Sequence, residues 1–321
     1  MKRILFITAT RIGDAVLNSG PLAHLASSYP EAEITVACGP LAAPLFRAAP
    51  GVRDVIVMAK KKGGGHWIDL WMRTVTQRWD LVVDLRGSLT SWFLLSRERA
   101  VNRRKPGHIH RHRVVEAAEV LQLDPVPSPE LWLDEAARTV VRDLLSDTAP
   151  ILALSPAAAA PFKEWSPENF ADLANRLTEP GAPLEGAQVA LFGGPGDEAR
   201  TAAVAAGIHR APVTDLAGKL GILETGAGLA RARAFIGNDS GLMHMAAAAG
   251  TPTLGVFGPT DERVYGPWGA HASSVRAGGP ANEEERGKLR FSDQSLMGEL
   301  SVDAVFEAAT TLVDATALHS R

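Results

Sequence analysis

The sequence predicts an α/β protein made of two parallel-sheet halves, and three observations carry that prediction. Short β-rich apolar runs alternate with longer amphipathic stretches, the signature of βαβ units. The pattern restarts after Pro150 with a fresh apolar run at 151–154. The chain of 321 residues is long for one core and suits two domains of about 150 residues each.

In the first half the apolar runs place strands at 3–8, 33–37, 54–58 and 80–84. Amphipathic spacing places helices at 15–28, bent at Pro21, and at 66–78, 113–121 and 134–145. The restart sets the domains at 1–149 and 150–321. In the second half the strands fall at 151–154, 188–192, 234–236 and Thr253–Phe257, with helices at 167–177, 197–206, 223–230 and 242–249. A last periodic stretch, 302–312, is expected to pack back on the first domain. Two such halves facing each other leave a cleft at the carboxyl ends of both sheets, where open α/β sheets bind ligands.

Composition narrows the function. Apolar residues make up 46% and charged residues 21% of the chain, ordinary values for a globular protein. A formal net charge of −3 argues against a general nucleic-acid binder. Cys38 is the one cysteine, so there is no disulfide framework and no cysteine metal site. The apolar run after Lys2 and Arg3 is broken by Arg11 and Asp14, too early for a signal peptide. Nothing approaches the roughly 20 apolar residues of a membrane span. The expectation is a cytoplasmic protein, with peripheral contact at the inner membrane left open.

Chemistry-bearing residues cluster at strand ends. Phe235-Ile236-Gly237-Asn238-Asp239-Ser240-Gly241-Leu242-Met243-His244 reads as a buried strand, a polar turn and a helix start. Free N–H groups at a helix start suit a phosphate; Ser240 adds a hydroxyl, and Gly241 admits close backbone approach. The plainer reading makes Asp239 or Ser240 a helix N-cap, and His244 a packed residue. After Thr253–Phe257 comes a second turn, Gly258-Pro259-Thr260-Asp261. Lys163 stands in the loop after the first strand of this half, just before an N-cap serine, Ser166, and an N1 proline, Pro167. Its ammonium suits a diphosphate; alone it is equally a solvated loop lysine.

In the first half, Thr8-Ala9-Thr10-Arg11-Ile12-Gly13-Asp14 follows the first strand. A dinucleotide fingerprint needs G-x-G-x-x-G; here Asp14 would repel a pyrophosphate. The loop therefore does not hold a nucleotide, and Asp14 is placed as a general base or as an N-cap. Residues 97–113 hold Arg97, Arg99, Arg103, Arg104, Lys105, Arg111 and Arg113 with three histidines, opposed locally only by Glu98. They read either as a positive field for phosphates or carboxylates or as a solvated face.

These segments together resemble glycosyltransferase family 9, the bacterial heptosyltransferases of lipopolysaccharide core assembly. Arg11–Asp14 is similar to the family's N-terminal x-x-G-D loop, Lys163-Glu164-Trp165-Ser166-Pro167 to its K-x-W-x-P segment, and 235–260 to its longest signature. Two positions depart from the pattern: Ala157 stands where members often have glycine, and Glu164 where many have arginine. The resemblance implies a GT-B fold, two facing Rossmann-like domains with a cleft between them. It implies an inverting transferase without cofactor or required metal, consistent with the lack of an Asp-x-Asp motif. It implies ADP-L-glycero-D-manno-heptose as donor and an anionic Kdo- or heptose-bearing lipid as acceptor. By the same carry-over Asp14 is the catalytic base and Lys163 assists departure of the diphosphate. Gly13, Glu224, Asp239, Ser240, Gly241 and His244 join Lys163 around the donor, and Arg103, Arg104 and Lys105 meet the acceptor. A sugar-nucleotide epimerase, another GT-B transferase and a non-catalytic nucleotide-sugar binder are the alternatives on the same scaffold.

Overall fold

A computed structural model describes residues 1–103, 111–278 and 294–318. It divides into two compact units, Met1–Leu133 and Asp134–Arg321. Each is a doubly wound parallel sheet, as the alternating pattern predicts.

In the first unit the strands are β1 (Arg3–Ile7), β2 (Glu33–Cys38), β3 (Val52–Val57), β4 (Arg78–Asp84) and β5 (Leu95–Val101). They form one parallel sheet in the order β3-β2-β1-β4-β5. Ile4 to Ile7 in the central strand are wholly buried, which is why β1 is continuously apolar rather than alternating. The helices are α1 (Ile12–Leu17), α2 (Ser19–Ser28), α3 (Ala43–Arg47), α4 (Gly65–Thr74) and α5 (Arg113–Glu119). Cys38 is buried, and burial pushes its thiol up to about 12, leaving it protonated and inert.

The helix expected over 15–28 is two helices, broken at Asn18 rather than bent at Pro21. Pro21 falls in the first turn of α2, where its missing N–H would have had no intrahelical partner. Asn18 is used elsewhere: its amide donates to Thr8 Oγ1 at 3.1 Å. α2 also lies close to the chain at 127–128; a Cβ on Gly20 would sit 2.4 Å from the Pro127 carbonyl oxygen. β5 overlaps the start of the basic segment, part of which the sequence also allowed as a buried strand flanked by arginines; the strand is there, but most of its residues are exposed or half-exposed.

In the second unit the strands are β6 (Ile151–Ser155), β7 (Gln188–Leu191), β8 (Val213–Asp215), β9 (Ala234–Asn238), β10 (Thr253–Phe257) and β11 (Ala272–Arg276). Their order is β11-β10-β9-β6-β7-β8, again all parallel. The helices are α6 (Glu135–Arg142), α7 (Pro167–Thr178), α8 (Glu198–Gly207), α9 (Ile222–Ala230), α10 (Gly241–Ala248), α11 (Glu262–Tyr265) and α12 (Val302–Leu318). The core joins β6, β9 and β10 to α7 and α12, with Trp165 and Phe170 packed edge to face at 5.1 Å. Burying one side chain of this size contributes about 1.5–3 kcal/mol.

Two expectations about the junction are corrected. The units part at Leu133/Asp134 rather than at 149/150, because α6 packs on α9. Arg231, just after α9, anchors that segment by donating to the carbonyls of Val141 and Ser146 at 3.1 and 2.9 Å. The last helix, α12, packs on α7, β10 and β11 of its own unit. Its buried residues Val305, Ala309, Leu312 and Val313 belong to that core. No helix among the described residues is long and apolar enough to cross a membrane.

Candidate active site

Strand order decides where each unit can bind a ligand. In the second unit β6 lies between β7 and β9, so the chain leaves β6 and β9 in opposite directions. Loops at such a switch point leave a crevice beyond the carboxyl ends of the strands. Lys163 ends the single turn Pro161–Lys163 after β6, and Asp239 follows β9. The structure brings them together: Lys163 Nζ lies 2.5 Å from Asp239 Oδ2, with the two side chains 20% and 8% exposed. An ammonium has three donors, so two remain after this bond. The pair also answers why an acidic group stands beside a candidate anion site: Lys163 neutralises it.

The surrounding bonds hold that geometry. Asn238, wholly buried, donates to the Pro156 carbonyl at 2.6 Å and accepts the Trp165 N–H at 3.1 Å. The Trp165 indole donates to the Leu300 carbonyl at 2.9 Å. Glu164 accepts from the Ala158 N–H at 3.2 Å and from Arg200 Nε at 3.0 Å. Lys163 is thereby presented by a loop braced on both sides.

Ser240 is the N-cap residue of α10, yet its side chain makes no capping bond. Its hydroxyl, that of Ser155 at the end of β6 and that of Thr260 after β10 are buried without a hydrogen-bond partner among the described residues. Each costs about 1–3 kcal/mol when left unsatisfied, an amount a bound acceptor group would offset. The α10 start is thus not closed by its own N-cap side chain, and Gly241 is the first helical residue. His244 is buried within α10. Glu224 opens α9 beyond β8, two strands from β6 in sheet order, and makes no hydrogen bond to the Lys163–Asp239 pair.

In the first unit the switch lies between β1 and β4, where Ile7 pairs with Asp84. Gly13 and Asp14 are the second and third residues of α1, whose N-cap is Arg11. Asp14 therefore is not the N-cap. Its carboxylate is half-buried and has no hydrogen bond or ion pair among the described residues. After β4, Asp84 accepts from the Arg86 and Ser88 N–H groups at 2.9 and 2.8 Å and from Ser88 Oγ at 2.5 Å. This tightens the turn that presents Arg86, whose guanidinium lies 5.0 Å from the Trp67 ring centre. Arg86 Nη1 is buried without a hydrogen-bond partner among the described residues. In the sequence Arg86 carries one signal, an arginine two residues after a buried strand end.

The basic segment is less free than its sequence suggests. Arg97 pairs with Asp80 at 3.4 Å, Arg111 with Glu119 and Arg113 with Glu116, acids outside the segment. Arg99 donates to the Ser91 carbonyl at 3.1 Å and to that of Leu94. Arg103 is exposed, with its guanidinium 5.5 Å from the Trp92 ring centre. Arg104 and Lys105 lie outside the described residues. A cavity of about 380 Å³ between the end of β3 and α4 contains none of the expected site residues. Among the described residues no three His, Cys, Asp or Glu side chains converge to hold a metal.

Residues 83–292 match the model of glycosyltransferase family 9 (heptosyltransferase). The chain belongs to glycosyltransferase family 9. It is a glycosyltransferase, and its two Rossmann-like units are those of the GT-B fold. The chain is 27% identical over 309 residues to lipooligosaccharide heptosyltransferase 2 of Haemophilus influenzae, covering 85% of this chain and 88% of that one. It is 27% identical over 300 residues to lipopolysaccharide heptosyltransferase 1 of Pseudomonas aeruginosa, covering 83% and 81%. The solved structure of E. coli ADP-heptose lipopolysaccharide heptosyltransferase II superposes with a TM-score of 0.76 at 22% identity, over 98% of this chain and 99% of that one.

Proposed function

We propose that this family 9 glycosyltransferase moves a heptose, with inversion, from ADP-L-glycero-D-manno-heptose to a lipopolysaccharide core acceptor. The reading is carried by the Lys163–Asp239 pair beside the α10 start, which supplies fixed donors for a leaving diphosphate. The relatives' names supply the sugar and the nucleotide.

In this reading an acceptor hydroxyl attacks the anomeric carbon as the bond to the ADP oxygen breaks. Asp14 takes the hydroxyl proton as the new glycosidic bond forms, which its free carboxylate permits. ADP leaves with the bonding pair, and the charge growing on its phosphate is met by Lys163, the Ser240 hydroxyl and the α10 N–H groups. One well-aimed donor of this kind is worth about 3–4 kcal/mol in the transition state. Gly13 gives the α1 loop room near the sugar, while Glu224 and His244 complete the nucleotide side. Arg103, with Arg104 and Lys105, offers charge to an anionic acceptor.

Incubation with ADP-heptose and a deep-core acceptor should release ADP and yield a glycolipid heavier by one heptose. ADP release without a heavier glycolipid would mean hydrolysis, an altered ADP-sugar without ADP release would mean epimerisation, and an unchanged donor with tight ADP-heptose binding would mean a non-catalytic binder.

A further inference from the structure

Twelve large hydrophobic side chains are exposed among the described residues, and seven of them fall between Ile68 and Leu95. Ile68, Trp71 and Met72 share the outer face of α4 by helical spacing. Leu89, Trp92 and Phe93 stand on the turn between β4 and β5, and Leu95 opens β5. The two groups are joined, since Trp71 Nε1 donates to the Phe93 carbonyl at 3.3 Å and α4 packs on that turn. Leu89, Phe93, Ile68 and Met72 are 78%, 70%, 59% and 57% exposed. An exposed apolar patch of this kind marks an interaction surface.

Charge says what it meets. From Lys60 to Arg103 there are nine basic and four acidic residues, on a chain whose net charge is −3. Of the four acids, Asp84 is wholly buried in its turn, Asp69 is held by Lys61 at 2.5 Å and Asp80 is paired to Arg97. Lys60, Lys62 and Arg73 are exposed and form no ion pair among the described residues. Tryptophan and phenylalanine flanked by lysine and arginine suit the headgroup layer of an anionic membrane, with rings at the interface and cations toward the lipid charge. A protein partner of matching chemistry would need an acidic rim around an apolar hollow, whereas a bilayer presents both at once over any area.

We propose that the α4 face and the 89–95 segment dock this enzyme on an anionic lipid bilayer. The inference stands apart from the heptosyl reading, because neither the α4 face nor the 89–95 segment contains a residue assigned to the reaction. The full chain should co-sediment with vesicles of one-third phosphatidylglycerol in phosphatidylcholine, and far less with phosphatidylcholine alone. Leu89→Ser with Phe93→Ser, both on well-exposed side chains, should lower the partition coefficient by at least about tenfold, with Tm unchanged. Lys60→Gln with Lys62→Gln should weaken binding to the anionic vesicles only. Raising salt from about 0.1 to about 1 M, which cuts the Debye length from about 10 to about 3 Å, should do the same. Transfer to a delipidated, water-soluble acceptor should be unchanged in both variants, so loss of the heptosyl reading and loss of docking are read separately. Equal binding to neutral and anionic vesicles, or a Leu89/Phe93 variant that binds like the parent, overturns the proposal. So does a concentration-dependent dimer that the same variant abolishes, which would make the face a contact between copies of this chain.

Discussion

An ammonium and a carboxylate 2.5 Å apart, both largely withdrawn from water, fix each other's position. Breaking such a pair by removing one member costs about 3–5 kcal/mol, because the other charge stays buried. Lys163→Ala should therefore lower Tm as well as ADP affinity. Adding Asp239→Asn should recover most of the Tm while ADP affinity and turnover stay low. Thermal melts and ADP titrations on both variants check this, and recovered ADP affinity in the double variant would remove Lys163 from the diphosphate. Asp14 behaves oppositely, since its carboxylate bonds to nothing among the described residues. Asp14→Asn should leave Tm and ADP affinity near parental and cut turnover by about 10²–10⁴-fold; near-normal turnover would end the base assignment. Both residues were legible in the sequence because each follows a strand end with distinctive turn chemistry. Arg86 was not, because its meaning arises only when β4 pairs with β1 and sets its turn beside the α1 loop.

At the scale of elements, the central strands were the readable ones. β6, β9 and β10 are buried at every residue, so they appear as apolar runs with at most one polar residue at an end. β5, β8 and β11 are sheet edges with mostly exposed or half-exposed residues, and no run marks them. The Asn18 break between α1 and α2 was hidden for another reason: proline drew attention to itself, while the residue that interrupts the helix is an asparagine bonded to Thr8. Asn238 shows what one side chain does for two loops, tying the chain at Pro156 and at Trp165 to the end of β9. Asn238→Ala should destabilise the protein by roughly 1–3 kcal/mol, since it strands a buried donor and a buried acceptor. It should also raise amide exchange across 156–165, measured by mass spectrometry. Parental exchange there would mean that the loop is held by Trp165 and Glu164 alone.

The whole molecule is two sheets of one design with different loop chemistry. ADP should protect amides at 155–165 and 238–243 of the second unit in hydrogen–deuterium exchange and leave 8–14 unchanged. Protection of 8–14 by ADP alone would place the nucleotide on the first unit. The restart of the strand pattern made the existence of two domains plain. The position of their junction was hidden, because α6 precedes the first strand of the unit it belongs to. A chain reads as a series of strands, yet a unit begins wherever its first packed helix does, here held through Arg231.

The position of β6 in its sheet also orders events during synthesis. β7 reaches β6 after a short crossover, but β9 pairs Leu152 with Ala234, and Lys163 finds Asp239 76 residues further on. Until β9 has been made, β6 has an open apolar edge, and pairings this distant along the chain are slow to close. The Trp165 indole waits longer, for a carbonyl 135 residues away. A nascent chain halted short of Asn238 would therefore carry a complete first unit and an unfinished, adhesive half-sheet, and would be the form of this protein most in need of a chaperone.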